Sequence, residues 1–456
     1  MTSDASSAAV LGAAPQVERG TAGRGAWFAL AVLVLVTIFS ALDRQILTIA
    51  IEPVRQSFGL SDLQIGLMHG LALTLVGAFA GLPLAWLADR FDRRMILALC
   101  IVAWSLATAA RGLAQDFSHL LAGTIGLAIA EAGVGPIVYA MIPAMFTGAQ
   151  RNRANIAYFA ATLLGAALGM GLAGLGLKVI TAHAASLPTV LQGLEPWRVS
   201  FFAAALPGAV LALVVMLIRA EHGRTVPTVN STASIPHAAP FMPYLQAHWP
   251  VLLGLFSATG AASAAFAPIT AWLAPAMARR FGMDPGEVGV SLGGVFGLGA
   301  LGGIVLAGVA SRLWGRRYPG ILGIQIGQYL AVVGALAAAA LGVVQSPLLV
   351  YVATALMMAA AMAFFALMPG MWQEMAPAPL RARMIAAASV VTTLATAGGP
   401  VLVGYLSGLM GDRPNGLLLA VALASAPCML LSAVLMRAAL QPVQRLLAIV
   451  EAEQAG

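Results

Sequence analysis

Four ionisable side chains sit inside long apolar runs: Asp43 and Arg44 in LVLVTIFSALDRQILTIAI, His69 in IGLMHGLALTLVG, and Glu131 in TIGLAIAEAGVGPIV. Placing a charge in hydrocarbon costs ~2.5–3.5 kcal/mol on insertion scales, so such groups are candidates for function wherever they occur. Desolvation and mutual repulsion ease proton uptake by a buried carboxyl. Asp43 and Glu131 are therefore read as proton-coupling residues, with Arg44 and His69 as candidate relays. Neighbours on one helix do not face each other, so Arg44 is a poor partner for Asp43. His69 could equally bond a carbonyl in a packed helix, and that plainer reading is the preferred one.

The elements that position these groups follow from composition. Of the 456 residues, 60% are hydrophobic and 9% charged, with a mean hydropathy of +0.91. That lies far outside the soluble range. A spanning helix needs ~20 mostly apolar residues, and the pattern predicts twelve, over 27–51, 62–88, 94–114, 117–144, 152–179, 197–219, 246–278, 284–311, 319–342, 346–373, 381–409 and 415–439. The fold class is all-α: twelve membrane helices in two six-helix halves, 27–220 and 246–439. A disordered tail (1–26), a polar Ser/Thr/Pro/His linker (221–245) containing Asn230-Ser231-Thr232, and a C-terminal tail (440–456) complete the chain.

The net charge of +7 could suggest nucleic acid, but the basic residues lie in short loops between apolar runs, so no nucleic-acid partner is expected. With the N-terminus inside, sixteen basic residues fall on the cytoplasmic side, seven on the other (Arg55, Arg111, Lys178, Arg198, Arg279, Arg280 and Arg413), and Arg44 within helix 1. This bias puts both termini in the cytoplasm and the chain in the cell inner membrane as a multi-pass protein. Cys100 and Cys428 fall in apolar runs and are read as buried thiols.

The loop after helix 2 reads GLPLAWLADRFDRRMIL, and its Asp89, Arg90, Arg93 and Arg94 resemble the major facilitator loop signature. Such charges can latch one conformation by bonding a neighbouring helix end. Ala85 and Asp92 stand where the usual pattern has Gly. A weaker echo, SRLWGRR, follows helix 8 and points to an internal repeat.

Leu42-Asp43-Arg44, the stretch TIAIEPVRQSFGLSDLQIGL, Glu195-Pro196-Trp197-Arg198 and Glu131-Ala132 together resemble the Spinster branch, clearly over 27–220 and diffusely beyond. The resemblance implies alternating access and proton-coupled transport of an amphipathic lipid, a lysophospholipid or sphingosine-phosphate-like molecule. It also implies that helices 1 and 4 bring Asp43 and Glu131 to one cavity. The family's usual Arg, seven residues before this Glu, is Thr124 here. Thr124 shares the Glu131 face about 10 Å away.

Thr124, Tyr139, Tyr158, Phe266 and Phe364 are candidate cavity residues, with Trp272, Phe365 and Trp372 as further aromatic candidates for the wall. The interiors of helices 7–12 carry no charge, which favours a substrate with a polar head and an apolar tail. Alternatives are an organic-anion or drug transporter of a related branch, and a non-transporting lipid sensor or scramblase. No nucleophile–base set, metal-ligand cluster or phosphate loop is present in the sequence, so no enzyme, cofactor or metal is expected. The partners expected are substrate, protons and membrane lipids, with the chain acting as a monomer.

Overall fold

The computed structural model describes residues 23–218, 241–318, 320–377, 380–411 and 413–455. The expected tail before residue 23, most of the linker and the Asn230-Ser231-Thr232 sequon lie outside the described residues. Twelve helices are long and apolar enough to cross a membrane. They are α1 (Arg24–Phe58), α2 (Asp62–Arg90), α3 (Arg93–Gly112), α4 (Phe117–Met145), α5 (Gly148–Ala182) and α6 (Pro196–Met216), then α7 (Trp249–Phe281), α8 (Pro285–Trp314), α9 (Leu322–Leu341), α10 (Pro347–Glu374), α11 (Arg381–Met410) and α12 (Gly416–Ala455). The described residues contain no strand.

Helix ends follow local chemistry. Asp116 and Asp284 cap α4 and α8 by accepting from His119 N and Glu287 N, and Ser61 with Gln64 forms a reciprocal capping box at α2. Gly59 and Gly282 end α1 and α7 in the left-handed conformation that glycine adopts without strain. Two helices run longer than the apolar pattern predicts. α1 continues through Glu52 and Arg55 to Phe58, and α12 continues through Pro442 and Arg445, because helix persists past the hydrophobic stretch where polar side chains find partners or water.

The same pairings recur in each half. In the first, α1 packs on α5 and α6, α3 on α4 and α6, and α2 on α4. In the second, α7 packs on α11 and α12, α9 on α10 and α12, and α8 on α10. The halves meet through α5 against α8 and α2 against α11, which is again the same pair in both senses. This is the internal repeat anticipated from the two basic loops.

The two halves touch along one end of the bundle, the end opposite the chain termini. There Gly174 lies against Gly286 and Gly289, and Gly171 against Gly293, so closely that a β-carbon at Gly293 would stand 2.6 Å from Gly171 N. Gly66 and Gly70 of α2 lie against Pro400 and Ala397 of α11 in the same way. One turn nearer the termini, Thr74 and Gly77 face Thr393 and Thr396 across open space. The bundle is thus sealed at the far end and open toward the end that carries the termini.

Candidate functional site

The open space is a cavity of about 590 Å³ between the halves. Helix α1 supplies Arg44, Gln45 and Thr48; α2 supplies His69 and Thr74; α4 supplies Glu131; α7 and α11 supply Thr270, Thr393 and Thr396. Helix period decides what each α1 side chain meets. Ser40 and Arg44 are four residues apart and share a face, and both reach α4: Ser40 Oγ donates to Glu131 Oε1 at 2.8 Å, and Arg44 Nε donates to Glu131 Oε2. Glu131 is buried while the Arg44 side chain is half exposed to the cavity.

Asp43 is rotated by about 100° from Arg44 and turns toward α3. Thr108 Oγ1 donates to Asp43 Oδ2, and Arg111 Nη2 donates to Asp43 Oδ1 at 2.8 Å. Asp43 is 2% exposed and Arg111 not at all. Each carboxylate therefore has a cation of its own. The bare, mutually repelling pair expected from sequence is not the arrangement found.

His69 lies in a π-helical segment of α2, Met68–Leu75, where the widened turn redirects side chains relative to the α-helical flanks. It lines the cavity, is buried, and its Nε2 has no partner among the described residues. Beside the main cavity lies a second space of about 300 Å³, lined by Thr74, Ser263, Phe266, Phe365, Thr392, Thr393 and Thr396. Phe266 and Phe365 form its aromatic wall, with ring centres 6.1 Å apart. Charge thus sits on the first-half wall, and aromatic and hydroxyl groups on the second.

The description of the Major Facilitator Superfamily matches residues 33–400. The chain belongs to the Major Facilitator Superfamily. The transporter is 30% identical over 297 residues to an MFS-type efflux pump of Mycolicibacterium smegmatis, which is 64% of this chain and 63% of that protein. It is 25% identical over 198 residues to protein spinster of Drosophila melanogaster, 43% of this chain and 30% of that one. These matches span less than two thirds of either relative's length. A solved bacterial homologue of the human lysosomal transporter Spinster, inward-facing and unoccupied, has a TM-score of 0.74 at 22% identity, covering 94% of this chain and 98% of that chain. The transporter is an integral multi-pass membrane protein with a Spinster-like fold.

Other residues singled out from sequence fall in varied places. Thr124 does not open to the cavity: it has no exposed surface and its hydroxyl donates to Leu120 O at 2.8 Å. Tyr158 is buried and packs edge-on against half-exposed Tyr139, ring centres 5.0 Å apart. Phe266 does line the smaller space, but Phe364 is buried against Gly327 of α9, and its neighbour Phe365 takes the cavity side. One residue along a helix turns a side chain by about 100°, so apolar composition alone could not choose between the two.

Among the described residues, the α2–α3 loop bonds α4 and the segment that follows α6. Arg93 bonds Ala140 O of α4 at 3.1 Å and pairs with Asp89 at 3.6 Å; Arg94 donates to Ile218 O at the end of α6; Arg90 lies over the Trp86 ring. Asp92, standing in a usual glycine position, caps α3 by accepting from Arg94 N and from the Arg94 guanidinium. Those Arg94 hydrogen bonds hold the Asp92 carboxyl below its ordinary range.

Three basic residues assigned only to topology turn out to be structural. Arg111 belongs to the buried Asp43 pair. Arg279 of α7 bridges the halves at the sealed end, with Nε donating to Glu52 Oε2 at 2.6 Å and both Nη atoms to the Asp62 carboxylate at 2.8 Å. Arg55 adds a second contact to Glu52 at 3.0 Å, and Ser407 of α11 donates to Asp62 at 2.6 Å. The available signal was spacing: Thr108 and Arg111 lie on one helix face, as do Glu52 and Arg55.

Proposed function

We propose that this transporter moves an amphipathic molecule, a lysophospholipid or sphingosine-phosphate-like lipid, by proton-coupled alternating access. The observation that carries this reading is the unequal cavity. A polar head fits beside Arg44, Glu131 and His69, and an apolar tail fits the neighbouring space walled by Phe266 and Phe365. Asp43 and Glu131 are the proposed proton carriers, each ion-paired and largely desolvated, so that protonation would release a cation. Arg44 and His69 then serve as relays at the cavity wall. The sealed end, with its cross-half ion network, and the open end correspond to one state of a rocking pair of halves. The arginine-rich loops support a cytoplasmic position for the open end and for both termini.

The test is transport by purified protein in liposomes, with and without an imposed proton gradient, across lysolipids of increasing chain length and a panel of organic anions. Gradient-driven accumulation that strengthens with chain length supports the reading; potency independent of chain length refutes the lipid substrate. Export of a small drug-like solute is the second reading, favoured by the identity to the mycobacterial efflux pump.

A further inference from the structure

Burying a guanidinium costs several kcal/mol unless its site is built for it. Helices α1, α3, α4 and α6 build one around Arg111. Its Nη2 donates to Asp43 Oδ1 at 2.8 Å and to Thr108 Oγ1 at 3.0 Å, and its Cζ lies 4.8 Å from the centre of the Phe201 ring. Space for the side chain comes from Gly123 of α4, where a β-carbon would stand 2.6 Å from Arg111 Cγ. The next α4 residue, Thr124, is sealed and its hydroxyl engaged. The cation facing the α1 carboxylate is thus delivered by α3, through a gap that α4 leaves for it.

The pairing is incomplete in an informative way. Arg111 Nε and Nη1 are buried without an acceptor among the described residues, and so is His69 Nε2. With Asp43 ionised, Arg111 and Asp43 neutralise each other. When Asp43 binds a proton, Arg111 remains as a net buried charge, and the carboxylate held by the next α1 residue, Arg44, is Glu131. Glu131 is held on the neighbouring face of α1, about 100° round from Asp43, by Ser40 and Arg44.

We propose that Arg111 is a positioning residue for proton coupling: its guanidinium keeps Asp43 ionised, and on protonation of Asp43 its freed charge is redirected toward Glu131, joining the two carboxylates into one relay. The chemical step is minimal. A hydronium ion of the cavity water gives up its proton: one of its O–H bonds breaks to leave water, and one O–H bond forms on an Asp43 carboxylate oxygen. The charged and titratable groups facing the pair are Arg44 on α1, His69 on α2 and Glu131 on α4. On α6, Arg198 is occupied with the carbonyls of Gly112 and Ala114 at 3.0 and 2.6 Å. This inference rests on the proton-coupled reading above.

Infrared titration of the protonated-carboxyl band tests it without any substrate, on the full chain in phosphatidylcholine vesicles. Asp43→Asn is expected to remove one band present in the parent protein. In Arg111→Gln that band should titrate about 1 pH unit or more to the alkaline side, the order of effect of an adjacent opposite charge. Arg111→Lys, with a looser point charge, should move it in the same direction by less, and it serves where Arg111→Gln does not fold. The double variant Asp43→Asn/Arg111→Gln should regain the thermal stability lost by Arg111→Gln, because no buried charge is then left unpaired. An unmoved band in both Arg111 variants, or an Asp43→Asn protein that loses no band, overturns the proposal. Proton-gradient-driven uptake in the same vesicles separates the two levels. A shifted band with uptake indifferent to the gradient leaves Arg111 in control of Asp43 and refutes the coupled-transport reading beneath it.

Discussion

Replacing Arg279 by Met should open the sealed end. Arg279 makes three charge-assisted hydrogen bonds across the halves, one to Glu52 and two to Asp62, at 2.6–2.8 Å. Each such bond contributes about 1.5–3 kcal/mol where water is excluded. The full sum overstates the bias, because the Arg279 side chain keeps 20% of its exposure and its partners are rehydrated when the halves part. Glu52 would also retain Arg55, and Asp62 would retain Ser407. A net bias of about 2–4 kcal/mol remains, and at 1.4 kcal/mol per decade the closed-to-open ratio at this end should fall roughly 30- to 700-fold. The assay is the reaction rate of an impermeant maleimide, added from the sealed side, with a single cysteine at Thr48 in a background lacking Cys100 and Cys428. A rate at least tenfold above that of the Arg279-containing parent is expected. A rate within threefold would show that the remaining cross-half contacts, the glycine seams and the Lys178–Glu287 and Ser407–Asp62 bonds, hold this end shut without Arg279, which would then have no gating role.

Asp43→Asn and Glu131→Gln should still bind and exchange substrate across vesicles but not concentrate it on a proton gradient, and the double variant should be little worse than the more damaging single one; full gradient-driven uptake by all three would sink the assignment. Thr124→Arg should lower the thermal midpoint of purified protein sharply, since a sealed site must take several extra heavy atoms and a charge; an unchanged midpoint would mean the site can open. Phe364→Ala should cost about 3–5 kcal/mol in stability, as expected for a large core residue, with substrate preference intact. Phe365→Ala should instead weaken discrimination between long- and short-chain lysolipids in competition assays, with little change in unfolding; the reverse pattern would show that the cavity wall has been misassigned.

Much of the architecture is legible in the sequence because membrane helices announce themselves by length and hydropathy: ten of the twelve fall close to their expected spans, while α1 overruns its span and α12 runs through the expected C-terminal tail to Ala455. Asp43, Arg44, His69 and Glu131 stand out for a related reason, as charges that hydrocarbon would not hold idly. Pairing is what sequence hides. Arg111 sits in the last turn of α3, where a basic residue fits both a topology-setting loop and a buried partner, and helix rotation alone turns it toward Asp43. The same ambiguity hid Arg279 and separates Phe364 from Phe365. Contacts between helices far apart in the chain depend on crossing geometry, to which a one-dimensional hydropathy pattern is blind.

The seam between α5 and α8 has a mechanical consequence. Where Gly171 and Gly174 lie on Gly286, Gly289 and Gly293, backbone rests largely on backbone, flanked by the Ile49 and Lys178 side chains and by the half-exposed Lys178–Glu287 pair at 2.9 Å. Such a contact behaves as a plain bearing: it tolerates rolling and resists only compression. Few rotamers need to rearrange there, so the surface can part and reseat without repacking a core. It is also a joint that a single methyl group can wedge from one side. Alanine at Gly174 would meet Gly286 O at 2.6 Å and prop this end ajar while leaving the opposite end free to close. The smooth seam thus offers a one-atom handle for trapping the carrier in the conformation complementary to the one seen here.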